Sequence, residues 1–209
     1  MNRPVTEIDH PVVKRYLSIL RDKRTETAPF RRAMGTIGTI LAAEALVDLP
    51  LQEYEVETPI QKTTGYKPAA EVFVIPILRA GLSLVDGIIS FMPDAKVGHI
   101  GVYRDEESHE PVNYYHNFPG GLTGAYTLVV DPMLATGGSG SHAIKFLKEN
   151  GADNIRFVSL IAAPEGIKRL QDDHPDVPII TAAIDEKLNE NAFIVPGLGD
   201  AGDRYFGTL

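Results

Sequence analysis

The sequence predicts an α/β domain whose central sheet is mostly parallel and flanked by helices. Two observations carry this prediction. Short apolar runs rich in β-branched residues recur after residue 71, and helix-patterned stretches separate them. Strands buried on both faces read as unbroken apolar runs, and parallel neighbours need a crossover that is usually a helix. The chain has 209 residues, enough for one sizeable domain with its own core.

The elements follow in order. His10–Arg24 sets Val12, Val13, Tyr16, Leu17, Ile19 and Leu20 close to helical spacing. A second helix is predicted from near Pro29 to about Val47, with Met34, Ile37, Ile40 and Leu41 beside the small residues Gly35, Gly38, Ala42 and Ala43. Small residues admit another backbone closely, and that neighbour is either a partner subunit or this same chain. Val72–Leu78 predicts a strand that runs into Arg79-Ala80-Gly81, then a helix over Leu82–Met92. Val97–Tyr103, Thr127–Val130, Ile155–Ala162 and Val177–Ala183 predict further strands, with helices at about 140–150 and 165–173. Two stretches break the rhythm. Residues 104–124 are polar and contain Pro and Gly; a loop that long inside a domain predicts a functional flap. Residues 189–209 carry Pro196, Gly197, Gly199, Gly202 and Gly207 and predict irregular structure. Both follow predicted strands, and open α/β sheets bind ligands beyond the carboxyl ends of their strands. No repeat or linker appears. The expectation is a single domain over 1–209, with an N-terminal helical extension (about 1–50), the flap (about 104–124) and a tail (about 185–209).

Composition narrows the function. With 20 basic and 28 acidic residues the formal charge is −8, which argues against a nucleic-acid partner. There is no cysteine, so disulfides, thiolate metal sites and cysteine nucleophiles are excluded. The first 25 residues lack a long apolar stretch and no run approaches a membrane span. A soluble, cytoplasmic protein is expected.

The most informative segment is Thr127–Ser139. An apolar strand delivers Asp131, then Pro132-Met133-Leu134-Ala135-Thr136-Gly137-Gly138-Ser139, then a helix. Free N–H groups at the start of such a helix, with its dipole, form a phosphate site. Thr136 and Ser139 add hydroxyl donors. A carboxylate repels phosphate, so Asp131 is matched instead to vicinal sugar hydroxyls. Gly138–Ala143 also fits the dinucleotide fingerprint, but six residues (132–137) separate its first glycine from Asp131, where that motif places it close behind the strand. No Walker-type motif is present. Arg79, directly after a strand and before Ala-Gly, is suited to an anion because its fork of donors matches phosphate oxygens. Arg104 is equally open to an anion or to a salt bridge with Asp105 or Glu106. The acidic run 105–110, with His109 and His116 nearby, reads as a solvated flap rather than a metal site. In the tail, a glycine-rich backbone over 194–204 can present N–H and C=O groups at fixed positions to a ligand, and a mismatched ligand would leave such groups unpaired.

Val129–Ser139, read as VVDPMLATGGS, resembles the ribose-phosphate signature of type I phosphoribosyltransferases in the form usual for the uracil phosphoribosyltransferase family. Pro132 stands where many members of the wider superfamily carry a second acidic residue. The resemblance runs from about Arg15 to the C-terminus and rests on three blocks in order: ILRAG, VVDPMLATGGS and IVPGLGDAGDR. The tail departs from the family at Ala192-Phe193, where members commonly have Gly-Tyr. The resemblance implies a type I phosphoribosyltransferase-like fold with a flap loop and a C-terminal base-binding hood. It implies conversion of uracil and phosphoribosyl pyrophosphate (PRPP) to UMP and pyrophosphate, in pyrimidine salvage. PRPP is expected to meet Arg79, Arg104, Asp200 and the run Asp131, Pro132, Met133, Leu134, Ala135, Thr136, Gly137, Gly138 and Ser139. Uracil is expected at Ile194, Gly199, Asp200 and Ala201. Catalytic roles fall on Asp131, Arg79, Arg104 and Asp200, the last as nearest candidate for the base that takes the N1 proton. Mg²⁺ is expected, carried mainly by the substrate pyrophosphate rather than by a protein metal site. A homodimer or higher even homo-oligomer is expected, and GTP, which activates some relatives, is a candidate activator. The alternatives are a phosphoribosyltransferase for another base and a regulatory protein that senses PRPP or nucleotide on the same fold.

Overall fold

The computed structural model describes residues 4–104, 111–118 and 120–208. The chain opens with a short strand, β1 (Val5–Glu7), and the helix α1 (Pro11–Arg21). The start of α1 is set locally: His10 accepts from Val12 N–H at 3.1 Å, and Pro11 fills the first turn, where no N–H is needed. α2 (Thr27–Ala45) follows, then the hairpin β2 (Leu51–Glu57) and β3 (Lys62–Pro68). Next come β4 (Val72–Leu78), α3 (Leu82–Phe91), β5 (Lys96–Val97), β6 (His99–Arg104) and β7 (Pro111–Asn117). β8 (Tyr126–Val130), β9 (Met133–Leu134), α4 (Gly138–Glu149), β10 (Ile155–Ala162), α5 (Pro164–Asp173) and β11 (Ile179–Ile184) complete the alternation. The tail contributes β12 (Lys187–Leu188), β13 (Ile194–Val195) and α6 (Ala201–Phe206).

The main sheet runs β1-β11-β10-β8-β4-β6-β7, with β5 beside β4 and β9 beside β10. Every pairing in it is parallel except β6 with β7, as the buried apolar runs predict. Successive residues of each strand point to opposite faces, and so divide between two cores. Val72, Val74, Leu128, Val130, Val158 and Leu160 pack with residues of α1, α2 and α3. Phe73, Ile75, Val129 and Phe157 pack with α4 and α5 instead. The N-terminal helices therefore build one whole face of the core.

The small residues of α2 find their neighbour within the chain. A Cβ on Gly87 of α3 would lie 2.3 Å from Gly35 O and 2.9 Å from Thr39 N, so the two helices touch backbone to backbone. An intrachain contact is observed at Gly38, where a Cβ would lie 3.0 Å from Leu84 O, whereas a Cβ on Gly35 would meet nothing within 4 Å.

Three segments differ from the sequence-based expectation. Part of the flap is a β-arm: residues 111–117 form β7, which pairs antiparallel with β6 from His99↔Asn117 to Arg104↔Pro111. Its sequence, PVNYYHN, lacks the apolar alternation by which a half-buried strand is read. The acidic run 105–110, including His109, lies outside the described residues. The tail, expected to be irregular, forms the β12–β13 pair and α6, elements too short to show a period. The hairpin β2–β3 pairs only with itself, and its residues are almost all exposed, so neither face carries an apolar pattern.

Candidate active site

The three sequence blocks meet at the carboxyl edge of the sheet, because β4 and β8 are neighbours and both end there. At the end of β4 the chain turns through Arg79-Ala80-Gly81 into α3, with a cis peptide between Leu78 and Arg79. A Cβ on Gly81 would sit 2.5 Å from Val130 O and 2.6 Å from Ile77 N, so only glycine lets this loop lie against the end of β8. Arg79 reaches across the site. Its guanidinium is 3.4 Å from Asp203 Oδ1 and 5.6 Å from the centre of the Phe206 ring, both on α6, while 62% of the side chain stays exposed. Arg104 closes β6, the strand on the other flank of β4; its side chain lies outside the description.

β8 delivers Asp131, whose N–H donates to Val158 O at 3.1 Å and whose Oδ1 accepts from Met133 N–H at 3.2 Å. Burial pushes its carboxyl up to about 7. The segment beyond is more ordered than a plain loop. Met133–Leu134 pairs with β10, and Pro132 O accepts from the N–H groups of Leu160 and Ile161. Pro132 and Leu134 are buried, so their side chains support the loop from beneath, whereas Thr136 and Ser139 are exposed. α4 then starts with Gly137 as its N-cap, at φ 78°, and Thr136 Oγ1 accepts from Gly138 N–H at 3.4 Å. The N–H groups of Ser139 and Gly140, next in this twelve-residue helix, have no intrahelical partner and can face an anion.

The tail folds over Asp131. A cavity of about 250 Å³ is lined by Ala80 from the first block and by Asp131, Met133 and Ala135 from the second. Ala192, Phe193, Ile194, Gly199, Asp200, Ala201 and Gly202 of the tail close it. It falls below the ~300–1,000 Å³ of pockets that engulf drug-sized ligands, and suits a small planar base together with part of a sugar. Ile194 and Ala201 are buried in its wall, and Phe193, half exposed, sits at its edge. Asp200 caps α6 by accepting from Asp203 N–H at 2.8 Å through Oδ1. A larger groove of about 530 Å³ lies between α1, α2 and α3, lined by Tyr16, Arg32 and Asp86 among others, and contains none of the three blocks. Residues of all three blocks line the smaller cavity instead.

The structure thus brings together Asp131, Met133, Ala135, Ile194, Gly199, Asp200 and Ala201 around one space, with the loop 136–139 continuing from Ala135, and Arg79 contacts α6. Sequence reasoning missed Gly166 of α5. A Cβ there would meet Ala135 O at 2.5 Å and Leu134 O at 2.7 Å, so α5 presses directly on the loop that follows Asp131. No local pattern marks that contact. Among the described residues no three His, Asp or Glu side chains cluster as a metal site. Asp131 and Asp200 face the cavity singly, a donor set that fits a hard cation carried chiefly by substrate oxygens. No helix among the described residues is long and apolar enough to cross a membrane.

Comparison with known proteins shows the family. The family profile described as uracil phosphoribosyltransferase matches residues 7–208. The chain is 53% identical over 204 residues to the uracil phosphoribosyltransferase of Salinibacter ruber, covering 98% of this chain and 97% of that one. It is 56% identical over 201 residues to that of Acholeplasma laidlawii, covering 96% and 97%. Among solved structures, the AQ2163 protein of Aquifex aeolicus superimposes with a TM-score of 0.91 at 38% identity over 97% of both chains. A hypoxanthine-guanine phosphoribosyltransferase of Bacillus anthracis, at 12% identity and a TM-score of 0.52, shares the fold, with 76% of this chain and 80% of that one covered. Profile, relatives and fold agree over nearly the full length, and the chain belongs to the uracil phosphoribosyltransferase family.

Proposed function

We propose that the chain transfers the phosphoribosyl group of PRPP to N1 of uracil, giving UMP and pyrophosphate, a step of pyrimidine salvage. The observation that carries this reading is the shared cavity: Asp131, suited to ribose hydroxyls, faces the backbone at Gly199–Ala201, suited to the edge of a base. The exposed loop 136–139 and the start of α4 hold the 5′-phosphate. Arg79 and Arg104 hold the pyrophosphate, and Asp131 orients the ribose while offsetting positive charge that develops on its ring. Catalysis is then mostly positioning and electrostatics. Asp200 is the nearest group to take the N1 proton, through the carboxylate oxygen that the helix cap leaves unused. The β6–β7 arm carries the flap that keeps water from PRPP. Mg²⁺, held through the pyrophosphate and facing Asp131 and Asp200, would supply charge neutralisation to the leaving group.

The family supports two further readings, a cytoplasmic enzyme and an even homo-oligomer. The second also has the exposed Leu51, Tyr54, Ile60 and Tyr66 on the β2–β3 hairpin in its favour. GTP is a candidate activator on family grounds alone. The deciding assay is formation of UMP and pyrophosphate from PRPP and labelled uracil, with and without GTP, against cytosine and hypoxanthine as competing bases. UMP binding without pyrophosphate release would leave a nucleotide sensor instead.

A further inference from the structure

The turn that leads into the base loop is held by a residue from the far end of the chain. Arg21, the last residue of α1, donates through Nη1 to Asp185 Oδ2 at 2.8 Å and through Nη2 to Asp185 Oδ1 at 2.5 Å. Its Nη1 also donates to Gly197 O at 2.9 Å, while Gly197 N–H donates to Asp185 Oδ2 at 2.8 Å. Both polar groups of Gly197 are therefore fixed by one ion pair. Asp185 is almost fully enclosed (4% of its side chain exposed) and is itself tethered by its N–H to Ala162 O at 2.8 Å, at the end of β10. Gly197 needs this definition. It lies at φ 61°, and a Cβ on it would fall 2.1 Å from Ile194 O, so the turn 194–197 is closed on itself. Neighbouring contacts extend the brace. Arg204 donates to Leu198 O at 2.8 Å, to Asp22 O at 2.7 Å and to Leu20 O, and lies over the Phe30 ring.

We infer that Arg21 and Asp185 are positioning residues for uracil: a fork-on-carboxylate clamp that sets the path of the backbone from Ile194 to Ala201, and hence the donor and acceptor positions that read the base. Neither residue of the pair lines the cavity. Its position relative to the ribose loop comes from the tether on β10, so it couples the base loop to the sheet that carries Asp131. A fork is required because one guanidinium must satisfy a carboxylate and a carbonyl at once, which an ammonium cannot do in the same plane. The inference rests on the reading of Ile194 and Gly199–Ala201 as base contacts.

The test measures uracil KM, kcat at saturating uracil, and PRPP affinity without uracil in Arg21→Gln, Arg21→Lys and Asp185→Asn. In Arg21→Gln, uracil KM rises on the order of ten-fold and kcat falls with it, because the displaced stretch carries both the base contacts and Asp200, while PRPP affinity, held mainly by the loop at 136–139 and by Arg79, stays within about two-fold. Arg21→Lys follows Arg21→Gln more closely than wild type. An unmoved uracil KM, or a parallel loss of PRPP affinity, overturns the clamp. If Arg21→Gln fails to fold, Asp185→Asn decides the matter: it keeps an acceptor for Gly197 N–H, and the same selective rise in uracil KM is expected. Ala201→Val, which narrows the cavity from its own wall, separates the two layers of the argument. If it raises uracil KM and the clamp variants do not, the clamp alone fails; if it does not, the base-site reading fails with it.

Discussion

Residues 131–139 and residues 194–204 face the same cavity, yet they are held in place by different means. The first segment is continuous between β8 and α4. Its path is set mainly by its flanks, the strand end that carries Asp131 and the first turn of the helix, with β10 and α5 supporting it through the short β9 pairing and the close approach at Gly166. The second is a tail whose backbone is fixed by Arg21, 176 residues before Gly197, and by bonds from Arg204 to the end of α1. A phosphate always presents the same oxygens, so a local strand–loop–helix unit is enough to bind it. A base must be distinguished from near-isosteres by the placement of a few hydrogen bonds, and that placement is imposed from outside the loop. The comparison teaches that the two halves should break separately.

The sharpest break is Asp131→Asn. It keeps the shape but removes the charge that offsets the developing ribose cation, and turnover should fall on the order of 100-fold with uracil KM little changed. Single-turnover kinetics with PRPP in excess reads this directly; a fall confined to uracil KM would contradict the assignment. Next is Gly166→Ala, which forces a Cβ to 2.5 Å from Ala135 O. Because the clash is with backbone, it should cost about 2 kcal/mol of stability and weaken PRPP, while uracil's KM at saturating PRPP holds. Chemical denaturation and PRPP titration check both halves of that statement.

The third is a pH effect. The Asp131 carboxyl is raised from 3.8 to about 7 by burial, so the ligand-free fold holds a proton there across pH 4–7 that the unfolded chain does not. Its contribution to stability is complete below the ordinary carboxylate pKa and is lost as pH rises through about 7. PRPP binding runs the other way, because ribose hydroxyls need the ionised acceptor: affinity should rise between pH 6 and 8 by about five- to ten-fold and release a proton. Calorimetry in buffers of different ionisation heat detects that proton, and Asp131→Asn should abolish it. The smallest effect belongs to the tail. Ala192 holds φ 61°, a left-handed conformation that penalises a side chain. Ala192→Gly should raise stability by about 0.5–1 kcal/mol and the melting temperature by about 2–4 °C, with PRPP affinity unchanged.

What the amino-acid sequence determined by itself was the part specified by neighbours in the chain. The buried strand Ile155–Ala162 is legible to the residue because a parallel strand covered on both faces is mostly apolar, with Arg156 and Ser159 its two polar residues. The ribose-phosphate loop is legible because strand, acid, small residues and helix follow one another without interruption. The base-reading role of 194–204 came from resemblance to a family, since glycines and a proline alone do not say what a loop faces. Tertiary structure decided the rest. The arm β7 and the hairpin β2–β3 take their strand form from a partner strand rather than from an apolar period. The small residues of α2 proved to be a seat for α3, a choice that helix pattern leaves open. Gly166 behind the phosphate loop, the raised carboxyl of Asp131 and the Arg21–Asp185 clamp depend on which distant atoms arrive at one point. Periodicity and motif describe a segment and its neighbours, whereas burial, close approach and ion pairing are set by segments that meet only once the sheet has assembled.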